Sequence, residues 1–109
     1  MLDKPEKTQR LITALKAALP FNVDLTRETA DAVTAQQGGI AVEPGQTVSD
    51  VWYAGDEGGI ICHLLPQEGR DPIFISLTHV RVHRSLPFAL AVIDYQKHRV
   101  KKLKKQGGA

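Results

Sequence analysis

The first apolar pattern in the chain repeats at the spacing of a helix. Three leucines share one helical face, and a proline follows them directly: Leu11, Leu15, Leu19 and Pro20. Proline has no amide hydrogen to continue a helical hydrogen-bond ladder, so it is a natural end point. The pattern predicts an N-terminal helix over about residues 4–19.

The next stretch changes its period and then returns to a weaker helical pattern. "FNVDL" (21–25) alternates apolar and polar residues, which indicates a short strand or an extended linker. In "TRETADAVTAQQGG" (26–39), Thr26 is a suitable helix cap and Gly38 a suitable terminator. We therefore expect a second helix there, although its apolar face holds little more than Ala30 and Val33.

From residue 40 onward the pattern is that of strands. "IAVEPGQTV" suggests a short strand with a Pro-Gly turn, and "VWYAGDEGGIICHLL" suggests a hairpin around a glycine-rich loop. Residues 72–82, "PIFISLTHVRV", are predicted to form one further strand. The fold class expected is α+β, with an antiparallel sheet of three to four strands, an N-terminal helix, a weaker second helix and a long amphipathic C-terminal helix.

Residue parity in the hairpin predicts two unlike sheet faces. One face is aliphatic and is the predicted core: Val51, Tyr53, Ile60, Cys62 and Leu64. The other is half polar and carries two large aromatics: Trp52, Ile61, His63, Phe74, Ser76 and Thr78. A helix of the same chain, a second subunit or a stacked ligand could cover it. Because aromatic residues are enriched at subunit interfaces, the candidate interface is Trp52, Ile61, His63 and Phe74.

The C-terminal helix is expected over residues 86–106, after Ser85 as a cap. Its predicted packing stripe is Leu86, Ala89, Ile93, Gln96, Val100 and Leu103. The basic helical end covers about residues 97–106, and residues 107–109 are expected to be flexible. A candidate nucleic-acid ridge lies opposite the stripe: Lys97, His98, Lys101, Lys102, Lys104 and Lys105.

Charge divides the chain unevenly, although the net charge is only +2. Residues 1–79 carry six Lys/Arg and eleven Asp/Glu, which gives a net charge of −5. Residues 80–109 carry eight Lys/Arg and one Asp, which gives a net charge of +7. A cationic ridge suits a phosphate backbone and would make binding salt dependent. A solvated helix end, or a helix docked on the acidic body, has the same pattern, because cations interact favourably with the helix dipole.

The sequence contains no local motif for catalysis or for metal and cofactor binding. On a strand, His79 and His83 would be about 13 Å apart, too far to bind one ion. Cys62 and His63 would point to opposite sheet faces, so they do not form a nucleophile and base. An enzyme would need a non-local site, for example around His63, Asp56 and Glu57; no metal and no cofactor are expected.

Size and composition favour one domain over residues 1–109. The longest apolar run, residues 86–93, is far shorter than the roughly 20 residues that span a bilayer, so no membrane partner is expected. A lone cysteine and a charged N-terminus indicate the cytoplasm. The function expected is a small non-catalytic module acting by self-association, as a homodimer, or by protein contact. The alternative is RNA or DNA binding through the basic ridge; neither a biological role nor a small-molecule ligand is indicated.

Overall fold

The computed structural model describes residues 5–39, 41–55, 58–65 and 72–107, with side chains described as far as residue 101. Within this part of the chain lie three helices, α1 (Pro5–Ala18), α2 (Arg27–Gln36) and α3 (Ala89–Gly107). Five strands accompany them: β1 (Phe21–Leu25), β2 (Gly45–Tyr53), β3 (Ile60–Leu64), β4 (Phe74–Ser76) and β5 (Val80–Val82). The α+β class is confirmed, with one or two more strands than expected.

The first two helices follow from their sequence patterns. Helix α1 buries Leu11, Ile12 and Leu15 on one side and ends just before Leu19. Helix α2 begins after Thr26, whose hydroxyl oxygen accepts the Thr29 amide hydrogen at a donor–acceptor distance of 3.2 Å. Its one buried side chain is Val33, as its sparse apolar pattern suggested.

The sheet is antiparallel, with strand order β4-β3-β2-β1-β5. In the β2–β3 hairpin Tyr53 lies opposite Ile60 and Trp52 lies opposite Ile61. This register confirms the predicted division of faces, because Val51 and its neighbours on β3 are buried in the core. A bulge lies between Val48 and Asp50, which shifts the pairing of β2 with β3 by one residue.

Residues 72–82 do not form the single strand that was predicted. The run is broken by a 3₁₀ turn, Leu77–His79, so that β4 and β5 lie at opposite edges of the sheet. The Ser76 hydroxyl accepts the Thr78 amide hydrogen at 3.3 Å, and such a local bond competes with strand pairing. The apolar positions change phase at this turn, from the odd-numbered Ile73, Ile75 and Leu77 to the even-numbered Val80 and Val82, so the break left a signal in the sequence that the single-strand prediction did not use.

The connection between β4 and β5 requires the sheet to curl. In a flat sheet of five strands the two edges would lie about 19 Å apart, whereas the chain from Ser76 to Val80 can span at most about 14 Å. The two edges therefore approach each other. The side-chain amide of Gln96 on α3 lies where they meet and donates to the carbonyls of Leu77 and Val80, at 2.8 and 2.6 Å.

The core fills the inner side of the curled sheet, and all three helices contribute to it. Its side chains come from alternate positions of the strands, as in Phe21, Val23 and Leu25 of β1. Phe88, just before α3, packs edge to face against Phe21 with ring centroids 5.2 Å apart. None of the helices in the described part of the chain is long and apolar enough to cross a membrane.

Helix α3 differs from its prediction in both start and orientation. It begins at Ala89, not at residue 86, and Ser85 contacts the His83 ring nitrogen instead of capping the helix. Its buried side includes Val92, Tyr95 and Arg99, whereas Val100 of the predicted stripe is 53% exposed. A polar-tipped side chain can bury its stem and satisfy its tip, so a stripe drawn from hydrophobicity alone does not include Tyr95 and Arg99. The helix includes Gly107; residues 108 and 109 lie outside the described part.

Candidate interaction surface

Three aromatic rings meet on the outer face of the sheet, one from each of three neighbouring strands. His63 of β3 lies opposite Phe74 of β4, and Trp52 of β2 lies one residue pair away on the same face. The rings of His63 and Phe74 stack with centroids 4.8 Å apart and an interplanar angle of 20°. The Trp52 ring packs edge to face on the Phe74 ring, with centroids 5.5 Å apart. It is tilted against the His63 ring, with centroids 6.3 Å apart. We call Trp52, His63 and Phe74 the aromatic cluster.

The aromatic cluster stays open to solvent after the described chain has folded. Trp52 is 36% exposed and Phe74 is 54% exposed, and Leu65, just beyond β3, is 55% exposed. Ile61, the fourth residue of the predicted interface, is half-buried on the same face. All three helices contribute to the core on the inner side, so the sheet presents these side chains outward. The structure thus brings all four predicted interface residues together.

His63 supplies ring surface to this cluster. Its Nε2 atom is inaccessible to solvent and has no hydrogen-bond partner among the described residues. Leaving such a nitrogen unpaired costs about 1–3 kcal/mol, which the packing against Phe74 must offset. With Nε2 closed off, this nitrogen is not placed to act as a base or a metal ligand.

The rest of the outer face is polar. On β1 and β2 the Asn22 side-chain oxygen accepts the Thr47 hydroxyl hydrogen at 2.9 Å. Farther along, Asp24 of β1 and Arg81 of the edge strand β5 lie opposite each other, both exposed. An apolar, aromatic patch with a polar surround on one continuous surface is the usual anatomy of a protein interface.

The candidate nucleic-acid ridge belongs to the helical layer on the other side of the sheet. Lys97 and Lys101 are exposed and one turn apart on α3, whereas His98 is half-buried beside α1. The backbone of α3 continues through Lys102, Lys104 and Lys105, whose side chains lie outside the described part. Arg99, in the middle of this basic segment, points inward and is 1% exposed.

The buried contact around Gly59 is a structural feature that the sequence did not reveal. The Tyr95 hydroxyl accepts the amide hydrogen of Ile60 at 2.9 Å. Arg99 lies beside Gly59 so closely that a Cβ atom there would be 2.8 Å from the guanidinium Nε. Two features of the sequence are consistent with this contact. Tyr95 and Arg99 are four residues apart on one helix face, and the hairpin contains a pair of glycines. Arginine in a lysine-rich segment is normally solvated, so the pattern gave no reason to expect Arg99 inside.

The remaining chemistry-bearing residues are either buried or separate. Cys62 lies in the core, and burial raises the pKa of its thiol from 9.0 to about 12, so it remains a neutral thiol at physiological pH. His79 and His83 are exposed, as expected of surface residues. Across the described residues, no three His, Cys, Asp or Glu side chains come together in a way that could hold a metal ion. Asp56 and Glu57 lie outside the described part of the chain.

Comparison with known proteins adds no relative: no protein-family model, no curated sequence and no solved structure matches this chain.

Proposed function

We propose that this protein is a non-catalytic module that acts by self-association, with the aromatic cluster and Ile61 at the centre of a homodimer interface. The observation that carries the proposal is the exposure of Trp52 and Phe74 on a sheet face turned away from the helices. Large aromatic side chains placed centrally in a contact commonly dominate its binding energy.

The size of the patch fits an anchor surrounded by a polar rim. A large aromatic side chain can bury about 150–250 Å², so the exposed parts of Trp52 and Phe74 amount to roughly 180 Å². A standard interface buries about 800 Å² per partner. The outer face around the cluster, including Leu65 and the polar residues of β1 and β2, would supply the rest. In a two-fold dimer the same patch serves both subunits.

Nucleic-acid binding through the basic ridge has less support. Among the ridge side chains that are described, Lys97 and Lys101 are exposed, whereas His98 turns toward α1. Two described cations are a small contact for a phosphate backbone, and Arg99, in the same segment, is buried.

The test is sedimentation equilibrium of the full chain over a range of micromolar concentrations. We expect a monomer–dimer equilibrium. Phe74→Lys should increase its dissociation constant about 30-fold, because an interface hot spot contributes about 2 kcal/mol to the binding free energy. The matched control is Leu90→Lys, which makes the same kind of change at an 82% exposed position on α3 and should leave the equilibrium unchanged. Trp52, the single tryptophan, gives a second readout, since its emission should shift to shorter wavelength as dimer forms. A protein that stays monomeric at about 100 μM, or equal effects of the two substitutions, would contradict the proposal.

A further inference from the structure

A groove runs between α1 and α3, on the side of the sheet opposite the aromatic cluster. Phe88, at the start of α3, packs on Phe21, which follows the end of α1. His98, midway along α3, lines the groove together with Lys7, near the start of α1. The two helices are therefore antiparallel. The groove between them has a volume of about 750 Å³.

One half of this groove is apolar and lined by small residues. Leu11 and Phe88 are buried at its base, and the walls expose Ala14, Ala17 and Ala91. The distance at which helices pack depends on the side chains between them, and alanine allows close approach. The half nearer the end of α1 can therefore accept the apolar side of a third helix.

The other half of the groove has a positive rim. Lys7 and Arg10 are exposed on α1 where they line the groove, and Asp94 is the acidic residue among the groove's lining residues. Lys101, exposed one turn beyond Lys97, adds positive charge on α3 just past His98. An occupant that complements this surface is apolar along one part and negatively charged along the other.

We propose that this groove binds an acidic amphipathic helix of another protein. Leucine-like residues at helical spacing would lie over the alanines, and Asp or Glu would face Lys7 and Arg10, which is a helix-in-groove mode of recognition.

A second copy of the chain does not supply such a helix from its described residues. Helices α1 and α3 carry an excess of cations, which would meet the cationic rim. Helix α2 has the acids Glu28 and Asp31, but its large apolar residue, Val33, is buried. Because the groove and the aromatic cluster lie on opposite sides of the sheet, this proposal does not depend on dimer formation.

Fluorescence anisotropy with a defined probe tests the inference. The probe is a fluorescein-labelled synthetic helix of about 18 residues, long enough to lie along the groove, with leucine at helical spacing and glutamate at the remaining positions. We expect saturable binding that weakens about tenfold in Arg10→Glu at low salt. The control Lys16→Glu makes the same charge change on α1, at an exposed residue outside the groove, and should leave the affinity unchanged. Ala17→Gln, which narrows the groove without adding charge, should also weaken binding.

Four results would overturn the inference. The first is absence of saturable binding at about 1 mM protein. The second is equal affinity for a peptide in which every glutamate is replaced by lysine. The third is equal sensitivity to Arg10→Glu and Lys16→Glu, which would mean general charge attraction. Binding to anionic lipid vesicles that Ala17→Gln weakens, without binding of the acidic peptide, would assign the groove to a membrane surface and would also overturn it.

Discussion

Substituting Gly59 by alanine tests how the β2–β3 hairpin is joined to α3. Gly59 has φ of +65°, a conformation that favours glycine. An added Cβ would fall on the Tyr95 hydroxyl and lie 2.8 Å from Nε of Arg99. Neither side chain can swing into solvent, because Tyr95 is 8% and Arg99 1% exposed. The added methyl group must therefore displace part of the core.

The expected loss of stability follows from three contributions. The left-handed conformation costs alanine about 1 kcal/mol, and overpacking a closed site costs about 1–3 kcal/mol. Displacing Tyr95 also leaves the buried Ile60 amide without its acceptor, at about 1–3 kcal/mol. Gly59→Ala should thus lower the free energy of unfolding by about 3–7 kcal/mol. Gly38→Ala is the matched control: its φ is +71° and no atom lies within 4 Å of the new Cβ, so only about 1 kcal/mol is lost.

Urea denaturation followed by circular dichroism and Trp52 fluorescence, at one fixed protein concentration, measures the two losses. A double-mutant cycle with Tyr95→Phe adds a specific check, because removing the hydroxyl should reduce the cost of Gly59→Ala. If Gly59→Ala and Gly38→Ala shift the unfolding midpoint equally, the close contact with Tyr95 and Arg99 does not exist in solution.

Two further predictions concern the core. Gln96→Leu removes the donor shared by the carbonyls of Leu77 and Val80 and should cost about 1–3 kcal/mol of unfolding free energy in urea. Lys97→Leu, at the next and exposed position, should cost much less, and equal losses would refute the bridging role. Burial raises the pKa of Cys62 to about 12, so its alkylation by iodoacetamide should stay slow in the folded protein compared with the protein in urea. Because the folded state favours the neutral thiol, stability should fall as pH rises from about 9 to about 12, and Cys62→Ala should lack this fall.

The parts of the fold that were predicted correctly are those with strong local signals. The leucine spacing and terminal proline defined α1, and parity about a short loop assigned Val51 and Trp52 to opposite sheet faces. The candidate interface depended on the same parity, which is why its residues do lie together.

The parts that were missed depend on contacts between distant segments. The apolar positions of residues 72–82 change phase where the backbone turns at Leu77, but the place of β5 at the opposite edge of the sheet depends on closure of the sheet beside Gln96. The orientation of α3 likewise depends on Gly59, about forty residues earlier, which makes room for Arg99. A helical wheel assigns arginine to solvent, since it contains no information on the hairpin that contacts the helix.

The curled sheet has a consequence for how copies of this protein can assemble. Exposed strand edges are templates on which further chains can add, and long ones lead to fibrils. Here both edge strands, β4 and β5, are only three residues long, and Gln96 binds backbone carbonyls at the point where they meet. Growth by strand addition is therefore disfavoured. In the proposed homodimer, contacts between copies would therefore be made by side chains on the outer face, which favours a closed assembly of fixed size.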